Sequence, residues 1–76
     1  MRRFHWCIFK LTLNGDTITL INRSGEYGGE VPATDEFVDL FHRKDGTIRD
    51  HIYMHGLYDN LNGRVTQMSL AGKQSW

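Results

Sequence analysis

The stretch DHIYMHGLYD, residues 50–59, decides the fold, because it reads differently as a helix and as a strand. Wound into a helix, the wider segment 47–61 would scatter Ile48, Ile52, Tyr53, Met54, Leu57, Tyr58 and Leu61 around the whole circumference. A small domain cannot bury every side of such a helix. Extended, the same segment places Ile48, Ile52 and Met54 on one face, and β-branched and aromatic residues of this kind suit a half-buried strand. We read it as a strand.

The choice carries chemistry with it. On a helix His51 and His55 would stand about 6 Å apart, with Asp59 one turn further on, close enough to share a zinc ion at about 2 Å from each ring nitrogen. Along a strand the two histidines share a face but lie about 13 Å apart, too far for one ion. The zinc-protease pattern also requires a glutamate after the first histidine, where Ile52 stands. The strand reading therefore assigns no metal and no cofactor, and treats a metal-binding or enzymatic site around His51 and His55 only as an alternative.

Working outward, Asn62-Gly63 is a turn signal, and RVTQMSL (64–70) alternates Thr66, Met68 and Leu70 with Val65, Gln67 and Ser69, which predicts a hairpin. The N-terminal half holds a clearer one. In CIFKLTLNGDTITLIN (7–22), Asn14-Gly15 is a favoured pair for a two-residue type I′ turn, whose central positions both need positive φ. That turn pairs Leu13 with Asp16, Leu11 with Ile18, Phe9 with Leu20 and Cys7 with Asn22. Cys7, Phe9, Leu11, Leu13, Ile18 and Leu20 then share the core face. Lys10, Thr12, Thr17 and Thr19 take the other, with Trp6, Ile8 and Ile21 at its far end.

Between the hairpins, RSGEYGGEVP (23–32) reads as a turn-rich loop; its glycines fit neither a P-loop nor a dinucleotide fingerprint. PATDEFVDLFHRKDG (32–46) reads as a helix of about ten residues. Thr34 is the N-cap, Asp35 and Glu36 suit the positive end of the dipole, Arg43 and Lys44 suit the negative end, and Gly46 supplies a left-handed stop. Phe37, Leu40 and Phe41 form its apolar stripe. The predicted fold is α+β: a small antiparallel sheet of about four strands in ββαββ order, with one short helix packed on one face, all within a single domain, 1–76.

A chain of 76 residues buries only about 60% of its unfolded surface. The single Cys7 makes no internal disulfide, so stability must come from good local structure, self-association or a partner, and a homo-oligomer is a reasonable expectation. Nine basic residues balance nine acidic ones. That is not the footprint of a protein that grips nucleic acid by its phosphates. Lys10 interrupts the apolar N-terminus too early for a signal peptide, and no window reaches membrane-span length, so the expectation is a reduced, cytoplasmic setting.

Four groups of residues are left to consider. His5 and Cys7 share a strand face, but a core cysteine behaves as a small hydrophobe rather than a nucleophile. Five acids, Glu26, Glu30, Asp35, Glu36 and Asp39, fall between Ser24 and Phe41 with no Lys or Arg among them. They suggest an acidic surface patch facing a basic partner. Trp6, Tyr27, Tyr53, Tyr58 and Trp76 are not claimed by the hairpin–helix core, and exposed rings of this kind anchor protein interfaces. Arg2, Arg3, Arg23 and Arg49 could combine with such rings into a modest nucleic-acid surface. The reading favoured by all this is a non-enzymatic protein-binding module of inhibitor or adaptor type. Its profile is that of small inhibitors of host proteins encoded by phages or mobile elements. Its expected partner-binding residues are Trp6, Tyr27, Glu26, Glu30, Asp35, Glu36, Asp39, Tyr53 and Tyr58. A nucleic-acid-binding protein is the alternative.

Overall fold

A computed structural model of the chain describes residues 4–74. The chain forms β1 (Phe4–Asn14), β2 (Thr17–Asn22), β3 (Tyr27–Pro32), α1 (Asp35–Leu40), β4 (His51–Asp59) and β5 (Arg64–Leu70). All neighbouring strands pair antiparallel, in the order β3-β2-β1-β4-β5. The segment read as a strand is one, and with β5 it makes the second hairpin.

The strand count and the place of Ile48 are corrected. The sheet has five strands, not four, in βββαββ order: Tyr27–Pro32 inside the glycine-bearing run pairs with β2. Ile48, expected on the core face of the fourth strand, lies outside it, exposed and bridged to His42.

The first hairpin keeps its predicted core face in a different register. Leu11 pairs with Leu20, Leu13 with Ile18 and Asn14 with Thr17. The two-residue turn is therefore Gly15-Asp16, not Asn14-Gly15. Gly15 takes φ +62° while Asp16 does not go positive, as a type II′ turn with glycine at its first central position requires. Asn14 instead sits in the ladder and donates from Nδ2 to the Thr19 hydroxyl at 2.7 Å. The pairing slips by two residues, the period of a strand's side chains, so no residue changes face.

The sheet curls until its two edges approach each other. At Gly28 in β3, a β-carbon would stand 3.0 Å from Val65 Cγ2 in β5 and closer still to the Phe9 ring. At Gly56 in β4 it would stand 2.5 Å from Val65 Cγ1. Glycine is needed at both places because the concave side has no room for a side chain. Inside the curl, Phe9, Leu11, Ile18, Leu20, Phe41, Ile52, Met54 and Tyr58 make one buried cluster.

The helix is shorter than expected, six residues rather than about ten. Thr34 caps it, its hydroxyl accepting from Phe37 N at 3.4 Å. After Leu40 the chain leaves the helix because Phe41 is drawn fully into the core. The Phe41 carbonyl then accepts from Arg49 N at 2.7 Å. Between them the chain reverses at Gly46 (φ +90°), with Asp45 Oδ1 accepting from both the backbone N and the hydroxyl of Thr47.

Candidate functional site

The convex, outer side of the sheet gathers the large side chains that the core does not use. In β1 the alternation that sends Cys7, Phe9 and Leu11 inward sends Phe4, Trp6, Ile8 and Lys10 outward. Lys10 stands opposite Ile21, and Ile21 opposite Tyr27, so these three cross the sheet in one row. A bulge after Leu20 keeps Tyr27 on the outer side. On the β4 side, Trp6 pairs with Leu57 and Ile8 with His55. The Trp6 and His55 rings lie 5.0 Å apart at 34°, a tilted contact.

Trp6 is 52% exposed, Tyr27 54%, Ile21 41% and Ile8 39%. With His55 they make an apolar, ring-bearing band running obliquely over β3, β2, β1 and β4. Two unlike charges flank it. Glu30 is opposite Thr19 on the same face, and its carboxylate acts on the Tyr27 hydroxyl. That hydroxyl is pushed up, first by partial burial and then by the Glu30 charge. Lys10 lies on the same side of the band, in the row of Ile21 and Tyr27 and one row from that of Glu30.

The remaining expected contact residues separate into three groups. Tyr53 and Tyr58 are buried, which corrects their assignment as surface anchors. Tyr58 points into the core, with its ring 5.6 Å from Phe9 and 5.4 Å from His5. Tyr53 faces outward in register yet is buried, and its backbone is tied to the chain beyond β5. There Ala71 N donates to the Tyr53 carbonyl at 3.0 Å, and the Gln74 carboxamide accepts from Tyr53 N at 2.9 Å and donates to its carbonyl at 3.2 Å. A side-chain amide thus continues the ladder where β5 has ended.

The five acids are exposed but do not form one patch. Glu26 lies before Tyr27, at one end of β3; Asp35, Glu36 and Asp39 follow its other end on α1, about 17 Å of strand away. Glu26 belongs to the turn: Asn22 Oδ1 accepts from its backbone N at 2.8 Å, and Asn22 Nδ2 donates to its carboxylate at 3.3 Å. Sequence reasoning missed the importance of Asn22, which is buried here and locks the β2–β3 connection. Its position at the end of a strand, four residues before a carboxylate, was the available clue.

His51 and His55 share the outer face with three residues between them, so about 13 Å of strand separates them. His51 packs edge-on against Tyr53, and His55 against Trp6. No group of three or more His, Cys, Asp or Glu side chains that could hold a metal ion occurs among the described residues. Cys7 is half-buried, and its thiol is pushed up by burial first and by the Glu26 charge second, against what a nucleophilic thiolate needs. Arg2, Arg3 and Trp76 lie outside the described residues.

No helix among the described residues is long and apolar enough to cross a membrane. No family model, curated protein or solved structure matches the chain.

Proposed function

We propose that the protein acts by surface contact, without catalysis, as a protein-binding module of inhibitor or adaptor type. The outer band of Trp6, Ile8, Ile21, Tyr27 and His55 is its docking face. The observation that carries this reading is the exposure of two rings and two isoleucines on one face of the sheet. Exposed Trp and Tyr are the side chains that most often dominate binding energy at interfaces, and an exposed apolar strip of this kind marks a contact surface. Glu30 beside Tyr27 adds a preference for a partner that brings a cation to that flank. The acids of α1 extend the preference for a basic partner to a neighbouring surface but are not part of the strip.

The test is affinity capture from lysate with the wild-type chain and with a variant carrying Tyr27→Ala and Ile21→Ser. Proteins retained by the first and lost by the second are the expected result. If both chains capture the same proteins in the same amounts, the strip is not the contact.

A second reading rests on the same rings. Bases stack on aromatic side chains of curled sheets when cations follow the backbone beside them. Lys10 lies on this face, and Lys73 borders it beside Ile8 and His55. The two exposed isoleucines favour the protein reading, because they offer neither a stacking plane nor a charge. Fluorescence quenching of Trp6 by oligothymidylate at low salt, reversed by salt, would favour the nucleic-acid reading instead.

A further inference from the structure

The strongest unassigned feature is an open sheet edge. Strand β1 is flanked by β4 from Phe4 to Thr12, but β2 joins it only from Phe9 onward. From Phe4 to Ile8 the side toward β2 has no strand beside it among the described residues. Instead there is a cleft of about 400 Å³, lined by His5, Cys7, Ile8, Asn22, Arg23 and Glu26. A strand edge of this length presents unpaired N–H and C=O groups, which are a template for another strand. Natural sheets blunt such edges with lysine, proline or an inward-pointing charge. Phe4–Ile8, FHWCI, has none of these devices.

We infer that two copies of the chain pair through this edge, β1 against β1 in antiparallel, about a two-fold axis near Trp6. The sequence of the edge is self-complementary in that arrangement. Phe4 of one copy faces Ile8 of the other, His5 faces Cys7, and Trp6 lies beside its own counterpart. The outward side chains Phe4, Trp6 and Ile8 then form one apolar cluster shared between the copies. Phe4 is 47% exposed in the single chain, and Trp6 and Ile8 are exposed as well, so pairing covers surface that is otherwise wet. No Lys, Arg, Asp or Glu lies within the paired stretch itself, and the two charged residues that line the cleft beside it, Arg23 and Glu26, are of opposite sign. The zero net charge of the chain removes long-range repulsion between copies. The product is a continuous six-stranded sheet, β5-β4-β1 of one copy running into β1-β4-β5 of the next, with the two outer bands side by side. The docking face proposed above is thereby doubled.

The test needs no partner, so its outcome is independent of that docking function. Light scattering should give twice the 8.8 kDa chain mass at high concentration and a fall toward the chain mass on dilution. Trp6→Glu and Trp6→Lys should each be monomeric, since each puts two like charges at the axis. Mixed in equal amounts, they should pair again, which only a symmetric contact at position 6 produces. In the wild-type chain, amide exchange at residues 4–8 should slow by about tenfold or more as concentration rises through dissociation. A wild-type mass of one chain at millimolar concentration overturns the inference. So does a doubled mass with concentration-independent exchange at residues 4–8, because another surface would then join the copies.

Discussion

The Phe9 ring fills the space that a side chain at Gly28 would occupy, and Val65 closes that space from the opposite edge of the sheet. One residue on β1, one on β3 and one on β5 therefore meet where the curl is tightest. Phe9 is fully buried and cannot swing aside. Gly28→Ala should destabilise the fold by about 1–3 kcal/mol through overpacking. Urea denaturation would measure this as a lower midpoint at unchanged slope. Phe9→Leu makes room at that point, so the double variant should lose less than the sum of the single losses. Strict additivity would mean that the curl does not depend on this contact.

That glycine also explains what sequence could and could not reveal. Gly28 and Gly29 lowered strand propensity enough for Tyr27–Pro32 to read as loop. The reason for glycine at position 28 lies in Phe9 and Val65, which are distant in sequence and adjacent only after the sheet has curled. Faces were legible because side chains alternate with period two, and Phe9, Leu11, Ile18 and Leu20 keep that rhythm whichever register the turn selects. The register itself was not legible, because Asn14-Gly15 and Gly15-Asp16 both satisfy hairpin turn chemistry and leave the same faces inward. The helix was overestimated because Phe41 continues the apolar stripe in sequence yet serves the core from beyond the helix end. At the candidate site, Trp6 could be read as outward by strand parity, whereas Tyr27 could not, because it lies in a run that reads as loop and a bulge sets its face. The burial of Tyr53 could not be read, because residues 71–74, which tie down its backbone, carry no periodic signal. The acids were contiguous in sequence, but β3 lies between Glu26 and the helix and separates them in space.

Thr34 holds the start of a helix only six residues long. So short a helix has little intrinsic stability and depends on its cap and on the burial of Phe37 and Phe41 beside the core. Thr34→Ala should cost about 1 kcal/mol, whereas Thr34→Ser should cost much less, because a hydroxyl can still accept from Phe37 N. Thermal unfolding followed by circular dichroism distinguishes the two. Equal losses would place the effect in packing rather than in the cap.

The Cys7 thiol should be a slow nucleophile in the folded chain. Burial and the Glu26 carboxylate both disfavour the thiolate, so less of it is present at mildly alkaline pH than in an unfolded chain. Alkylation by iodoacetamide should be slower in the native protein than in urea, and its pH profile should lie to higher pH. Glu26→Gln should move that profile part of the way back. The variant keeps an oxygen to accept from Asn22 Nδ2, so the turn survives and the change isolates the charge. Alkylation at the free-thiol rate in the folded state would show that Cys7 is open to solvent.

Asp59 organises the turn between β4 and β5 and makes the fold sensitive to acid. Its carboxylate accepts from Leu61 N at 3.0 Å, from Asn62 N at 3.3 Å and from Asn62 Nδ2 at 2.6 Å, while its carbonyl accepts from Gly63 N at 2.8 Å. The Asn62 side-chain amide is the largest influence holding this carboxyl below its ordinary 3.8; burial opposes it, and the turn amides and Arg64 assist. A carboxyl lowered in the folded state is more often ionised there than in the unfolded chain. Its contribution is therefore fully present above the unfolded value, near 4, and is lost as pH falls from there through the lower folded value. Asp59→Asn removes the ionisation while keeping one acceptor oxygen. The variant should be less stable than wild type at pH 7, and the gap should narrow as pH falls below about 4. Urea titrations at a series of pH values from neutral to strongly acid would trace the two curves. Parallel curves across that window would mean that the Asp59 charge does not hold the turn. Asn62→Ala should reproduce the flattening, because it removes the donor that most favours the charged form.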